Sequence, residues 1–309
     1  MKKIFVSCLL FVLAGCQEKT KKTVSITQIV NHPSLNQAKR GIVTHLSKEY
    51  EIVEQDAQGD IIVANQIANR LTASKSDLVV GISTPSAQAL KNAKNKKKIP
   101  LLFCSVTYPK EAGLIENLDH PMDMTGVYDA PELRAILTLL KQTLPKIRSL
   151  GVIYNPGEAN SAHTIKELEA LAVNFGLAIK TVIVSNSNEV IPAIKSLVSK
   201  VDCIYIPSDN TVWPSLEGLT EVAKQHKIPV VSSDPDSVKR GVSLALGYLQ
   251  YDLGVEIAHQ IKEILDNKKP ITQIKAKKPA KLTLYYNKAN LETFDIKIPD
   301  QLTYLIKGW

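Results

Sequence analysis

The chain has 309 residues, 44% of them hydrophobic and 22% charged, with 38 Lys and Arg against 30 Asp and Glu, a formal net charge of +8. Such a composition supports a core for two ordinary domains or one large one and excludes a disordered chain. The basic excess gathers in runs 91–98 and 268–281, which lack interleaved aromatic residues and read as solvated faces, not as a nucleic-acid surface.

Lys2 and Lys3 precede an apolar run from Ile4 to Leu13, the pattern of a secretory signal and too short for a permanent membrane span. The run ends in Leu13-Ala14-Gly15-Cys16, which resembles the bacterial lipobox, so residues 1–15 are expected to be a removed signal peptide and Cys16 a lipidated N-terminus. Residues 16–23 carry Glu18, Lys19, Lys21 and Lys22 and suit a solvated tether. The expected location is the cell envelope, lipid-anchored and facing the periplasm or exterior. With Cys8 in the signal and Cys16 carrying lipid, Cys104 and Cys203 are left, each in an apolar strand-like run and expected as separate buried thiols.

From Val24 onward, short β-branched runs alternate with amphipathic stretches, the signature of an α/β protein with parallel sheets. Strands are predicted at 24–30, 52–55, 78–82 and 101–106, with helices at 37–48, 61–73 and 85–93 between them. After Thr125 to Tyr128 the theme restarts with a helix from Pro131 that places Leu133, Ile136, Leu137, Leu140 and Leu144 on one face. Strands recur at 150–154, 180–184, 203–206 and 230–232, with helices at 161–175, 190–198 and 216–224. A strand at 243–249 and a helix at 252–265 suggest a return to the first unit, and 282–286 a further crossing.

This restart favours two sheets over a single (β/α)₈ barrel, with the carboxyl ends of both sets of strands facing a shared crevice. The expected fold class is α/β: two Rossmann-like lobes with parallel sheets joined by a multi-strand hinge. Residues 24–128 with about 246–280 form one lobe, and 129–245 with about 281–309 the other.

Catalytic signatures are missing. The chain contains no nucleophile elbow, Walker loop, dinucleotide-binding turn or His-Glu-x-x-His pair, and its six histidines are scattered without Cys at metal-ligand spacing. No enzyme activity, metal or cofactor is expected.

Helix starts at the strand ends offer binding chemistry. Ser83 and Thr84 precede Pro85, so their hydroxyls and unpaired backbone N–H groups suit an anion such as a carboxylate, unless Thr84 acts only as a cap. Glu158, Asn160 and Ser161 open a helix on the opposite wall, Glu158 either as a ligand or as a first-turn acid against the dipole. Asp209 and Asn210 follow a strand; Asp209 suits a ligand ammonium or an N-cap near Val212, and Asp234 carries the same two readings. Trp213 and Tyr128 suit apolar walls.

Several segments then carry a resemblance: Ser25 to Val30 with His32-Pro33, Asp56-Ala57-Gln58-Gly59-Asp60, Ser83-Thr84-Pro85-Ser86-Ala87-Gln88, Phe103 to Thr107, Glu111-Ala112-Gly113-Leu114, Tyr154-Asn155-Pro156-Gly157-Glu158-Ala159-Asn160-Ser161, and Tyr205 to Asn210. Together they resemble the ABC-transporter substrate-binding family, periplasmic binding protein type I-like, whose members bind aromatic amino acids. The resemblance implies a monomer that presents a small-molecule ligand, an aromatic or apolar amino acid, to a permease and ATPase. A ligand-sensing lipoprotein for a membrane receptor, or an envelope enzyme, would use the same cleft. Gln28, Thr107 and Asn155 enter as ligand candidates through the resemblance. The chain departs from the pattern at Val106-Thr107-Tyr108-Pro109, where the family has Asp before Pro; Tyr108 either stacks on a ligand or lines the loop.

Overall fold

Why the chain builds two sheets is visible in the strand interiors of a computed structural model, which describes residues 21–299 and 306–308. The signal segment, Cys16 and residues 17–20 of the tether lie outside the described residues. Strands β1 (Thr23–Gln28), β2 (Glu51–Asp56), β3 (Leu78–Ile82), β4 (Leu101–Val106) and β5 (Met124–Tyr128) form a parallel sheet in the order β2-β1-β3-β4-β5. Every residue of β3 and β4 is buried, as continuous apolar runs covered on both faces require. Helices α1 (Pro33–Leu46), α2 (Ile61–Ala73) and α3 (Thr84–Asn92) connect the strands. Helix α1 begins four residues earlier than expected because Pro33 occupies its first turn, where the missing N–H costs nothing.

After β5 the chain enters α4 (Leu133–Thr143), then β6 (Ser149–Tyr154), α5 (Ala159–Ala172), β7 (Ala178–Ile183), α6 (Val190–Leu197), β8 (Cys203–Ile206), α7 (Leu216–Gln225), β9 (Val230–Ser232) and β10 (Leu244–Gly247). With β11 (Thr283–Tyr286) and β12 (Ile306–Gly308) these strands make a second sheet, β12-β11-β10-β9-β8-β6-β7, in which only the β10–β11 pair is antiparallel. Alternation along β8 divides its core: Ile204 and Ile206 pack with Ile194 and Leu219, whereas Cys203 and Tyr205 pack with Leu137 and Leu168. Cys104 and Cys203 are free and buried in different sheets. Among the described residues, no helix is long and apolar enough to cross a membrane.

One expectation is corrected. The strand expected over 243–249 does not return to the first sheet; β10 lies between β9 and β11, and the chain crosses only after Gly247. Helix α8 (Gln250–Leu265) is the element that returns, burying Leu253, Ile257 and Ile261 in the first core. Its crossing with α1 is a backbone-to-backbone contact. A Cβ on Gly254 would stand 2.0 Å from the Ala38 carbonyl oxygen, and one on Gly41 would stand 2.3 Å from that of Tyr251.

Among the described residues, the chain therefore passes between sheets three times, through 129–132, through 248–249 and through the segment after Lys277, a residue that bridges Val127. The three crossings meet at one side chain. Glu132 accepts from the Tyr248 hydroxyl at 3.1 Å and from the Lys278 ammonium at 2.8 Å, one partner from each of the other two crossings. Short α9 (Lys288–Thr293) follows β11 and packs Leu291 beside the second core.

The α1–α8 contact is testable. Ala at Gly254 would gain up to about 1 kcal/mol of helix propensity, but its methyl would meet backbone that cannot rotate away, a cost of about 1–3 kcal/mol or more. Gly254→Ala is therefore expected to lower the urea midpoint and net stability, measured by circular dichroism, where the same change in an open helix would raise it.

Candidate functional site

Strand carboxyl ends of both sheets and three helix starts converge on one narrow cavity. From the first sheet, the opening turn of α1 contributes Ser34 and Leu35, α3 contributes Thr84, and the ends of β4 and β5 contribute Thr107 and Asp129. From the second, α5 contributes Asn160, the loop after β8 contributes Ser208 and Asn210, and Trp213 and Asp234 complete the wall. Helices α1, α3 and α5 thus all direct their unpaired N–H ends toward the cavity, a favourable environment for an anion.

Two buried carboxyls supply the opposite polarity. Asp129 follows β5, and its Oδ2 accepts from Gln250 Nε2 at 2.8 Å, while Gln250 Oε1 accepts from the Ser105 hydroxyl at 2.6 Å. That chain exists because β4 carries a register shift at Ser105, whose φ of 54° aims the hydroxyl inward. Among the described residues, Asp129 Oδ1 makes no well-formed hydrogen bond, with the Thr107 side chain a polar neighbour of the carboxyl that lowers its pKa. Burial raises the Asp129 pKa above the usual carboxylate range. Asp234 accepts from the Asp236 backbone N–H at 2.8 Å, and burial followed by the Asp236 charge pushes its pKa up to about 7. Among the described residues, no Lys or Arg lines the cavity.

His32 sits just before α1, buried, with neither ring nitrogen in a hydrogen bond by strict geometry. Burial lowers its pKa to about 4, so the imidazole is neutral at pH 7. Its ring stacks on Trp213 of the other lobe, centroids 6.2 Å apart and planes 18° apart. Asn160 donates to the Ser208 carbonyl at 2.5 Å and leaves its own Oδ1 without a partner. Unpartnered polar atoms thus cluster on this cavity, where each would carry a desolvation penalty unless a guest supplied a bond.

Of the residues selected from the sequence, Thr84, Thr107, Asn160, Asn210 and Asp234 line the cavity. Asn155 and Glu158, again with Asn210, line a wider outer groove between the lobes. Gln28, Ser83, Tyr108, Ser161 and Asp209 line neither. Asp209 does not meet the expectation of an ammonium partner: its Oδ1 accepts from the N–H groups of Thr211 and Val212 at 2.9 and 3.1 Å, and its Oδ2 accepts from that of Asn155 at 2.7 Å. It caps its own loop and ties it to the loop after β6, the alternative that its position before Val212 allowed.

Glu158 is committed in the same way, accepting from Asn210 Nδ2 at 2.6 Å and from the Thr211 N–H at 3.0 Å. Gln28 donates to Asp56 at 2.8 Å. Tyr108 donates to Glu167 at 2.6 Å and neither stacks on the cavity nor opens to it. Tyr128 lies under the Lys278 ammonium at 5.8 Å, away from the cavity wall. Ser83, at φ 84°, keeps its hydroxyl buried without a partner, and Ser161 is fully buried beside Asn160.

The sequence reasoning missed His32, Ser34, Ser105, Asp129 and Gln250. Asp129 was within reach, since it follows β5 at the carboxyl end of a strand, the position used to select Asp209 and Asp234. Gln250 had no local signal, because it reaches the cavity only through the return of α8.

Comparison with known proteins gives a consistent picture. The chain is 37% identical over 258 residues to a tyrosine-binding protein of Clostridioides difficile, covering 81% of this chain and 74% of that one. It overlays with a TM-score of 0.87 and 28% identity on a Streptococcus pneumoniae ABC domain in complex with L-Trp, covering 94% of this chain and 99% of the other. On a ligand-free, open substrate-binding protein with adhesive properties from Clostridium difficile the TM-score is 0.69 at 31% identity, covering 93% and 99%. The family model for the ABC transporter substrate binding protein matches residues 23–306, both sheets and the cavity between them included. With two lobes, a cleft of opposed polarity and that match across nearly its whole length, the chain belongs to the ABC transporter substrate-binding protein family.

Proposed function

We propose that the protein, anchored by lipid on Cys16, captures an aromatic or apolar amino acid between its lobes and delivers it to an ABC permease and ATPase for import. The observation that carries this reading is the opposition, inside one cavity, of two buried carboxyls and three helix N-termini. A zwitterion complements both: its ammonium meets Asp129 and Asp234, and its carboxylate meets the helix starts at Thr84 and Asn160. Leu35, Trp213 and the neutral His32 supply the less polar wall for its side chain.

Two further facts support it. The chain overlays more closely on the L-Trp complex than on the ligand-free, open relative, although it is slightly more similar in sequence to the open one; this fits lobes in a closed arrangement. The tyrosine-binding relative adds an aromatic amino acid as the ligand class. The ligand role is assigned to Thr84, Asn160, Asn210, Thr107 and Asp234, joined by Asp129, although Asp234 also caps the turn that follows it through the Asp236 N–H. Asp209 and Glu158 hold the loops that carry Asn160 and Asn210.

Calorimetry with L-tyrosine and L-tryptophan tests the reading. Both are expected to bind, and Asp129→Asn to weaken binding by about 2–5 kcal/mol, the cost of removing one member of a buried charge pair. Binding undiminished in that variant would remove Asp129 from the site.

Affinity is also expected to follow pH. Asp234 with a pKa of about 7 is largely protonated at pH 6 and ionised at pH 8. A raised carboxyl pKa means that the ligand-free protein loses stability as the pH rises from the unfolded value to about 7, the charge being buried without a cation. An ammonium ligand reverses that penalty, so affinity should fall about tenfold between pH 8 and pH 6, and Asp234→Asn should flatten the dependence.

The anchor has its own test. Cys16→Ser is expected to abolish labelling by radioactive palmitate and to release the protein from the membrane fraction.

A further inference from the structure

Tyr108 stands on a rigid turn after β4, its carbonyl accepting from the Ala112 N–H at 2.9 Å and the next carbonyl, of Pro109, from that of Leu114 at 2.9 Å. Gln88 of α3 donates to the Ala112 carbonyl at 3.0 Å, and Leu114 is fully buried, so this turn moves with the first lobe. The Tyr108 side chain nevertheless ends on the second lobe. Its hydroxyl donates to Glu167 Oε2 at 2.6 Å, and its ring meets that of His163 with centroids 4.4 Å apart. His163 and Glu167 are four residues apart on α5 and therefore share one face of that helix. Burial and the neighbouring Glu167 raise the phenol pKa, so Tyr108 remains a donor at all physiological pH values.

None of the three residues lines the cavity. The contact joins elements built on different sheets, so opening the lobes must break it. We propose that Tyr108, Glu167 and His163 form a latch that holds the lobes closed, making Tyr108 a positioning residue that sets how long a ligand stays bound. The proposal rests on the capture of a ligand in the cleft. A phenol donating to a carboxylate at this distance is a charge-assisted bond in a half-buried setting, enough to shift the closed-to-open ratio about five- to tenfold.

The experiment uses the lipid-free mature protein carrying Tyr108→Phe, which keeps the ring and removes only the hydroxyl. Stopped-flow dissociation of L-tyrosine and of L-tryptophan is expected to quicken about five- to tenfold, by the same factor for both, because the latch does not touch the ligand. Glu167→Ala should do the same, and the double variant should be no faster than either single one. Unchanged dissociation, different factors for the two ligands, or additive effects in the double variant would overturn the latch.

A second readout needs no ligand. With dyes on the two lobes, single-molecule energy transfer should record a smaller closed population in Tyr108→Phe than in the parent, and equal populations would overturn the proposal. If neither amino acid binds the parent protein, the capture reading fails, and the lobe-closure measurement alone judges the latch.

Discussion

A buried carboxylate without a cation is among the costlier groups a protein can hold, and this cavity holds two. Asp129 and Asp234 approach it from different sheets, so neither lobe alone carries the full electrostatic demand of the site. The demand is created by closure, which removes water from both at once, and it is offset by whatever positive charge the closed lobes enclose. The supports around them follow from this. Gln250 orients Asp129, a bulge at Ser105 orients Gln250, and the return of α8 brings Gln250 to the site. The Gly41–Gly254 crossing, one helical turn beyond Gln250, is what lets α8 lie close enough.

Chemically identical groups have opposite fates here. Asp209 and Glu158 are as buried as Asp129, yet their oxygens are filled by N–H groups of the adjacent loops, so their hydrogen-bonding capacity is spent on shape. Asp129 keeps one oxygen without a well-formed hydrogen bond among the described residues. The difference lies in the backbone around each residue: the turn after β8 folds its N–H groups back onto Asp209, whereas the chain after Asp129 runs on into the hinge. Glu132, three residues further, then gathers Tyr248 and Lys278 from the other crossings. Site and hinge are consequently built from the same short segment, which couples lobe angle to the geometry of Asp129.

Most of the fold was legible along the chain. The continuous apolar runs of β3 and β4 and the helical spacing of Leu133, Ile136, Leu137 and Leu140 are local patterns, and parallel sheets follow from their alternation. The candidate site was half legible. Thr84, Thr107, Asn160, Asn210 and Asp234 could be chosen because strand ends and helix starts mark them in one dimension. Tyr108 was recognised as a departure from the family pattern, but its partner on α5 lies 59 residues away in sequence.

By itself, then, the amino-acid sequence determined the element types, the two-sheet α/β class and two of the helix N-termini that face the crevice, those of α3 and α5, because each depends on periodicity or capping within a few residues. Tertiary structure alone decided that β10 stays in the second sheet while α8 crosses, that Asp209 is consumed by its own loop while Asp129 is left open, and that Tyr108 reaches the opposite lobe. These outcomes depend on which backbone groups arrive beside a side chain from distant parts of the chain, and local propensity carries no information about that meeting.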